Sequence, residues 1–126
     1  MERFLSVTLM GALGTATRYL VGVWVARRLQ TTFPYATLFV NLVGCFLIAL
    51  VLELALIRAN FSPTLKLALT TGFMGGLTTY SSFNHETTRL LLAGATTTAV
   101  LNVSATLIGC FLAGLLGAAL ARQFPA

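Results

Sequence analysis

Apolar residues run through this chain in four long blocks separated by short polar connections. The first block covers about residues 4–26. At a rise of about 1.5 Å per residue it is long enough to span a hydrocarbon core about 30 Å thick. Gly11, Ala12, Gly14 and Ala16 give it small faces suited to close helix packing. Arg27 and Arg28 close it, and Phe33-Pro34-Tyr35 forms the turn. The second block, about residues 35–57, is interrupted only by Asn41 and, near its end, Glu53. A short polar connection, residues 58–63, follows it. Ser62-Pro63 there suits the start of a helix. The third block covers about residues 64–92 and the fourth, with no charge, about residues 97–121. The pattern predicts an all-α integral membrane protein of four transmembrane helices in one domain, residues 1–126.

The third block differs from the others. From Thr70 to Phe83 it reads Thr-Thr-Gly-Phe-Met-Gly-Gly-Leu-Thr-Thr-Tyr-Ser-Ser-Phe, with three glycines and six Ser or Thr hydroxyls. Glycine weakens a helix by about 1 kcal/mol relative to alanine. Hydroxyls can bond freed backbone groups or face a polar cavity. Irregular backbone at membrane depth is tolerated where it is buried in protein or lines water. A helix broken at about residues 75–79, around a site, is the expectation. Carbonyls ending the first half-helix carry partial negative charge and can coordinate a cation. Gly75 and Thr78 are the natural oxygen donors.

Composition fits the membrane reading. The chain is 57% hydrophobic and 9% charged, with a mean hydropathy of +0.90. A soluble domain carries about 25% charged residues. The net charge of +5 is therefore no nucleic-acid signal, because the cations other than Arg18 sit near segment ends where headgroups lie. Arg18 interrupts the first block and argues against a cleaved signal peptide. Cys45 and Cys110 lie within apolar segments and read as free buried thiols.

Four alternating spans put Arg3, Arg58, Lys66 and Arg122 on one side, and Arg27, Arg28 and Arg89 on the other. Lys/Arg bias sets orientation, and four against three is almost no bias. Such a chain is expected to insert both ways round. Two opposed copies would then form an antiparallel, dual-topology dimer about an axis in the membrane plane. Reporter fusions at the C-terminus that showed a single orientation would count against this.

Several side chains are candidates for chemistry. Thr37, Asn41 and Cys45 share one face of the second segment, as do Asn102, Thr106 and Cys110 in the fourth. Each Asn has two open readings, helix–helix glue or lining of a polar pathway. Gly109, Ala113 and Gly117 read as a packing face. Arg18, eight residues or about 12 Å from its segment's end, either snorkels or serves as a vestibule cation. Tyr80 and Phe83, three apart, are a packing pair or a pair of electropositive ring edges that with Ser hydroxyls could replace water around a small anion. Glu86 and Arg89 are at ion-pair spacing. No metal-ligand cluster or nucleophile–base arrangement is present, and the chain does not read as an enzyme.

These residues carry a resemblance to a known family. Gly11-Ala12-Leu13-Gly14 through Arg18-Tyr19, the run Thr37 to Gly44, and above all Thr71 to Phe83 followed by Glu86 resemble the Fluc (CrcB) fluoride channels. The likeness covers nearly the whole chain. It implies a passive, fluoride-selective channel in the bacterial inner membrane that exports fluoride and lowers its toxicity. It implies two pores per antiparallel homodimer, with lipid and fluoride as partners and no nucleic acid. A structural sodium ion is implied at the dimer centre, held by the carbonyls of Gly75 and Thr78 and their two-fold mates. Tyr80 and Phe83 fall on the pore aromatics, Asn41 on the pore amide, Ser81 on the pore hydroxyl and Arg18 on the vestibule arginine. Thr37 belongs with the pore group. The chain departs from the pattern at Tyr80, where relatives usually have Phe, and at Cys110 and Gly114, where they have Ser and Thr. A small four-helix multidrug exporter is the alternative. It needs an embedded acid in the first segment, which here has none after Glu2. A non-transporting structural subunit gives no reason for the third block's composition.

Overall fold

A computed structural model describes residues 1–58 and 60–124. One residue of the second predicted connection, and the last two of the predicted domain, lie outside them. Among the described residues every regular element is helical, with α1 (Glu2–Arg28), α2 (Tyr35–Ile57) and α6 (Thr96–Ala121) as the long elements. These three are long and apolar enough to cross a membrane. The third block is built in pieces. It holds α3 (Pro63–Leu67), a π-helical stretch (Ala68–Met74), the short α4 (Gly75–Leu77) and α5 (Tyr80–Leu92). None of these pieces reaches spanning length alone.

The start of α3 follows local rules. The Ser62 hydroxyl accepts from the Leu65 amide at 3.3 Å, and Pro63 occupies the first turn, where its missing N–H costs nothing. At Gly94, φ is +75°, the left-handed conformation that lets the chain turn from α5 into α6.

Two packing seams organise the chain, and both run on small residues. Along α1, a Cβ at Gly14 would overlap the Phe73 carbonyl, and one at Gly76 would overlap the Gly11 carbonyl. The backbones of α1 and of the third block therefore touch directly. Between α2 and α6, Gly117 meets the Phe46 carbonyl and Gly109 meets the Leu42 side chain. Gly109 and Gly117 thus form the packing face that their spacing predicts. Close backbone approach of this kind is the usual source of helix association where lipid removes the hydrophobic drive.

Large apolar side chains cover the outside. Phe4, Trp24, Phe111 and Leu116 are all more than half exposed, as a surface meeting acyl chains requires. The inside is unusually polar, since Thr37, Asn41, Thr70, Thr79, Asn102 and Thr106 are all buried. At the α2 and α6 ends Arg122 Nε donates to Glu53 Oε1 at 2.6 Å, the one ion pair among the described residues. The ion pair expected from the spacing of Glu86 and Arg89 is absent there. Glu86 turns instead toward α2, where a hydroxyl donor is available.

Candidate functional site

Within the third block the backbone leaves helical geometry at two residues. Thr78 (φ −80°, ψ 155°) and Thr79 (φ −153°, ψ 114°) are extended. The cause is not the one that glycine propensity suggests. Gly75 is helical at φ −61° and ψ −36°, and α4 runs on through Gly76 to Leu77. Gly76 serves close approach to α1, and the backbone opens two residues later.

Asn41 takes the place of the missing helical bonds. Its Oδ1 accepts from the Thr79 amide at 2.8 Å, and its Nδ2 donates to the Thr79 carbonyl at 3.2 Å. A side-chain amide has an acceptor and two N–H groups, so this clamp leaves one Nδ2 hydrogen uncommitted. Thr79 is also the cap of α5, because its hydroxyl accepts from the Ser82 amide at 3.2 Å. The Ser81 hydroxyl lies 3.2 Å from the same oxygen. On the other side of the interruption, Thr78 bonds the Met74 carbonyl through both its amide and its hydroxyl. Arg18 Nε donates to the Gly76 carbonyl at 3.1 Å. Arg18 thus has a partner that no acidic residue supplies, the negative end of α4.

A groove of about 390 Å³ opens beside this clamp. Asn41, Thr78, Thr79, Tyr80, Phe83 and Thr106 line it. The Tyr80 and Phe83 rings are 5.5 Å apart and tilted by 51°, within the range of an attractive edge-to-face pair. They are not equivalent, since Phe83 is buried and Tyr80 is 76% exposed. Ser81, exposed on α5, reaches the site through Thr79.

Thr79 also lines a second space, a chamber of about 250 Å³ with Arg18, Thr37, Ser82 and Glu86 around it. Here Thr37 Oγ1 donates to Glu86 Oε1 at 2.8 Å. The other carboxyl oxygen, Oε2, is buried with no partner among the described residues. A polar chamber and a mostly apolar groove therefore share one wall.

Of the residues singled out from the sequence, Asn41, Thr78, Tyr80 and Phe83 meet at the groove, together with Gly75. Arg18 and Thr37 meet at the chamber. Sequence reasoning passed over Thr79, which joins the two. Its signal was there, as a Thr one position before a helical run is a standard cap. Asn102 is a structural residue here, donating through Nδ2 to the Thr87 hydroxyl at 2.9 Å.

The fold and site define a multi-pass membrane protein with an interrupted helix beside a polar chamber and a groove. The family model for CrcB-like protein, Camphor Resistance (CrcB), matches residues 5–118. The chain belongs to that family. It is 46% identical over its full length to the fluoride-specific ion channel FluC of Sorangium cellulosum (strain So ce56), covering 99% of that protein. It is 44% identical to the protein of the same description from Citrifermentans bemidjiense, across 97% of this chain and 98% of that one. The Geobacter sp. (strain M21) protein of that description is 45% identical, again across 97% and 98%. These relatives are described as ion channels, not as enzymes.

Proposed function

We propose that this chain forms a fluoride-selective passive channel that exports cytoplasmic fluoride across the bacterial inner membrane. The observation that carries the reading is the groove lined by Asn41, Thr79, Tyr80 and Phe83, in a chain that matches fluoride-specific channels from end to end. A small anion entering that groove exchanges water for the uncommitted Nδ2 hydrogen of Asn41 and the positive ring edges of Tyr80 and Phe83. Ser81 adds a hydroxyl, and Arg18 supplies positive charge at the chamber. Neutral donors suit an ion that must leave as well as enter, because binding too strong would stop conduction.

The functional unit in this reading is an antiparallel, dual-topology homodimer with two pores. The near-equal cations on the two sides of the chain support it. So does the amount of exposed surface at the site itself, where Tyr80 has no cover within one subunit.

A structural sodium ion belongs to the same reading. The residues fit one. Thr79 gives its amide to Asn41, so the Gly75 carbonyl loses the donor that a continuous helix would offer. Thr78, extended and outside any helix, likewise keeps its carbonyl out of a helical ladder. Gly75, Thr78 and their two-fold mates would hold the ion by backbone oxygen, as half-helix ends do in transporters. The ion would neutralise the converging negative helix ends and tie the two subunits together.

The test is efflux from liposomes holding the purified full chain, read with fluoride and chloride electrodes in parallel. Fast fluoride release without chloride release is the expected result. Equal release of both anions, or none from a folded dimer, would overturn the reading.

A further inference from the structure

Cys45 and Cys110 are the only cysteines in the chain, and the fold brings them together. They come from α2 and α6, the pair of helices locked by Gly109 and Gly117. Both are free and half-buried. Both line the groove that holds Asn41 and Phe83, and both line the recess next to it.

Thr106 adds a second observation. It stands one turn before Cys110, lines the same groove and is only 8% exposed. Its hydroxyl has no partner among the described residues. The hydroxyls of Thr70, Thr78 and Thr87, by contrast, each bond the carbonyl four residues back. One buried oxygen beside two thiols is therefore uncommitted.

We propose that Cys45 and Cys110 form a two-thiolate site for a soft, thiophilic metal ion, and that filling it obstructs the groove alongside. Thiolate sulfur selects soft ions over hard ones such as calcium and magnesium. Zinc takes four ligands in a closed site, and the described residues contain no cluster of three or more His, Cys, Asp or Glu. The site is built for an ion content with two sulfurs, with the Thr106 oxygen as a weak third donor. Mercury(II) is the probe of choice. On binding, each thiol releases its proton to solvent and each sulfur gives a lone pair to the metal, with no electron transferred. Two thiolates cancel the double charge, so no net charge enters an apolar segment. The metal site stands on the two cysteines' shared lining of groove and recess and on the unpartnered Thr106 hydroxyl, whereas its effect on flow rests on the channel reading.

The experiment uses the full chain in liposomes, titrated with mercury(II) chloride, beside Cys45→Ser and Cys110→Ser. One ion per chain is expected. Each substitution should weaken binding about 100-fold, the gain that a paired second ligand brings. Fluoride efflux should fall with occupancy, return on adding a dithiol, and resist the same dose in either variant when each is scaled to its own metal-free rate. Two ions per chain, or unchanged affinity in both variants, would mean independent thiols and overturn the site. One-to-one binding with undiminished efflux would overturn the obstruction. Absence of fluoride efflux before any metal is added counts against the channel reading instead, and the binding stoichiometry then still decides the site.

Discussion

The two halves of the interrupted third block are held in place by opposite means. The first half, α3 through α4, lies with its backbone against α1. Gly72 and Gly76 face Val7, Gly11 and Thr15 so closely that a methyl group has no room at either position. The second half, α5, is held at a distance by polar side chains. Asn41 grips its cap residue, Thr37 its Glu86, and Asn102 its Thr87. Contact packing gives a tight seam of backbone against backbone. Side-chain clamps leave gaps between helices, and the groove and the chamber lie in those gaps. The difference explains how one interrupted block can be firmly anchored and still border polar space.

The sharpest way to break the seam is to fill it. Gly76→Val puts three carbons where the Gly11 carbonyl and the Thr15 amide already sit. Overpacking costs about 1–3 kcal/mol when neighbours can shift, and backbone on both sides cannot. Loss of folded protein on size-exclusion chromatography is the expected outcome. Gly22→Val, at a position with nothing within 4 Å, is the control and should stay folded. Equal behaviour of the two variants would show that the seam is not tight.

Breaking the clamp should cost less stability and more function. Asn41→Ala strands the buried amide and carbonyl of Thr79, each worth about 1–3 kcal/mol when left unpaired. Fluoride efflux should vanish while some folded protein survives. Asn41→Asp is the more telling variant. It keeps the acceptor for the Thr79 amide but removes the donor and adds a negative charge beside the pathway. Efflux should be abolished with a smaller loss of thermal stability than in Asn41→Ala; normal flux in Asn41→Asp would refute the role given to this amide. Next in size is Phe83→Ile. It keeps an apolar group in a buried site and removes the ring edge, so flux should drop sharply while the protein stays folded. Unchanged flux would reduce Phe83 to packing.

Much of this comparison was legible in the chain. Long apolar blocks with charges at their ends leave helix as the way to satisfy the backbone in lipid, and the small residues at Gly11, Gly14, Gly109 and Gly117 mark the seams directly. The irregular third block was also visible from its glycines and hydroxyls, although for partly the wrong reason. Local propensity placed the weakness at Gly75 and Gly76, whereas those residues stay helical and the extended pair is Thr78–Thr79. That shift comes from tertiary contacts, since what stabilises an extended Thr79 is Asn41, 38 positions away. The π-helical turns at Ala68–Met74 leave no mark that sequence periodicity resolves. The partner of Glu86 was equally hidden. Spacing along one helix proposes Arg89, but the donor that wins is Thr37 on another helix, and no local rule ranks the two.

The smallest effect expected lies outside both halves, at the Arg122–Glu53 pair. It joins the ends of α2 and α6, yet the Arg122 side chain is 70% exposed. Exposed ion pairs contribute about 0–1 kcal/mol, and screening by salt lowers that further. Arg122→Gln should therefore leave fluoride efflux unchanged and shift the thermal midpoint in detergent by no more than a few degrees. The shift should shrink as salt is raised. The α2–α6 contact itself is held by Gly117 against the Phe46 carbonyl, a contact that salt does not touch. A large, salt-independent loss in Arg122→Gln would mean that the charge pair, and not the glycine packing, joins these two helices.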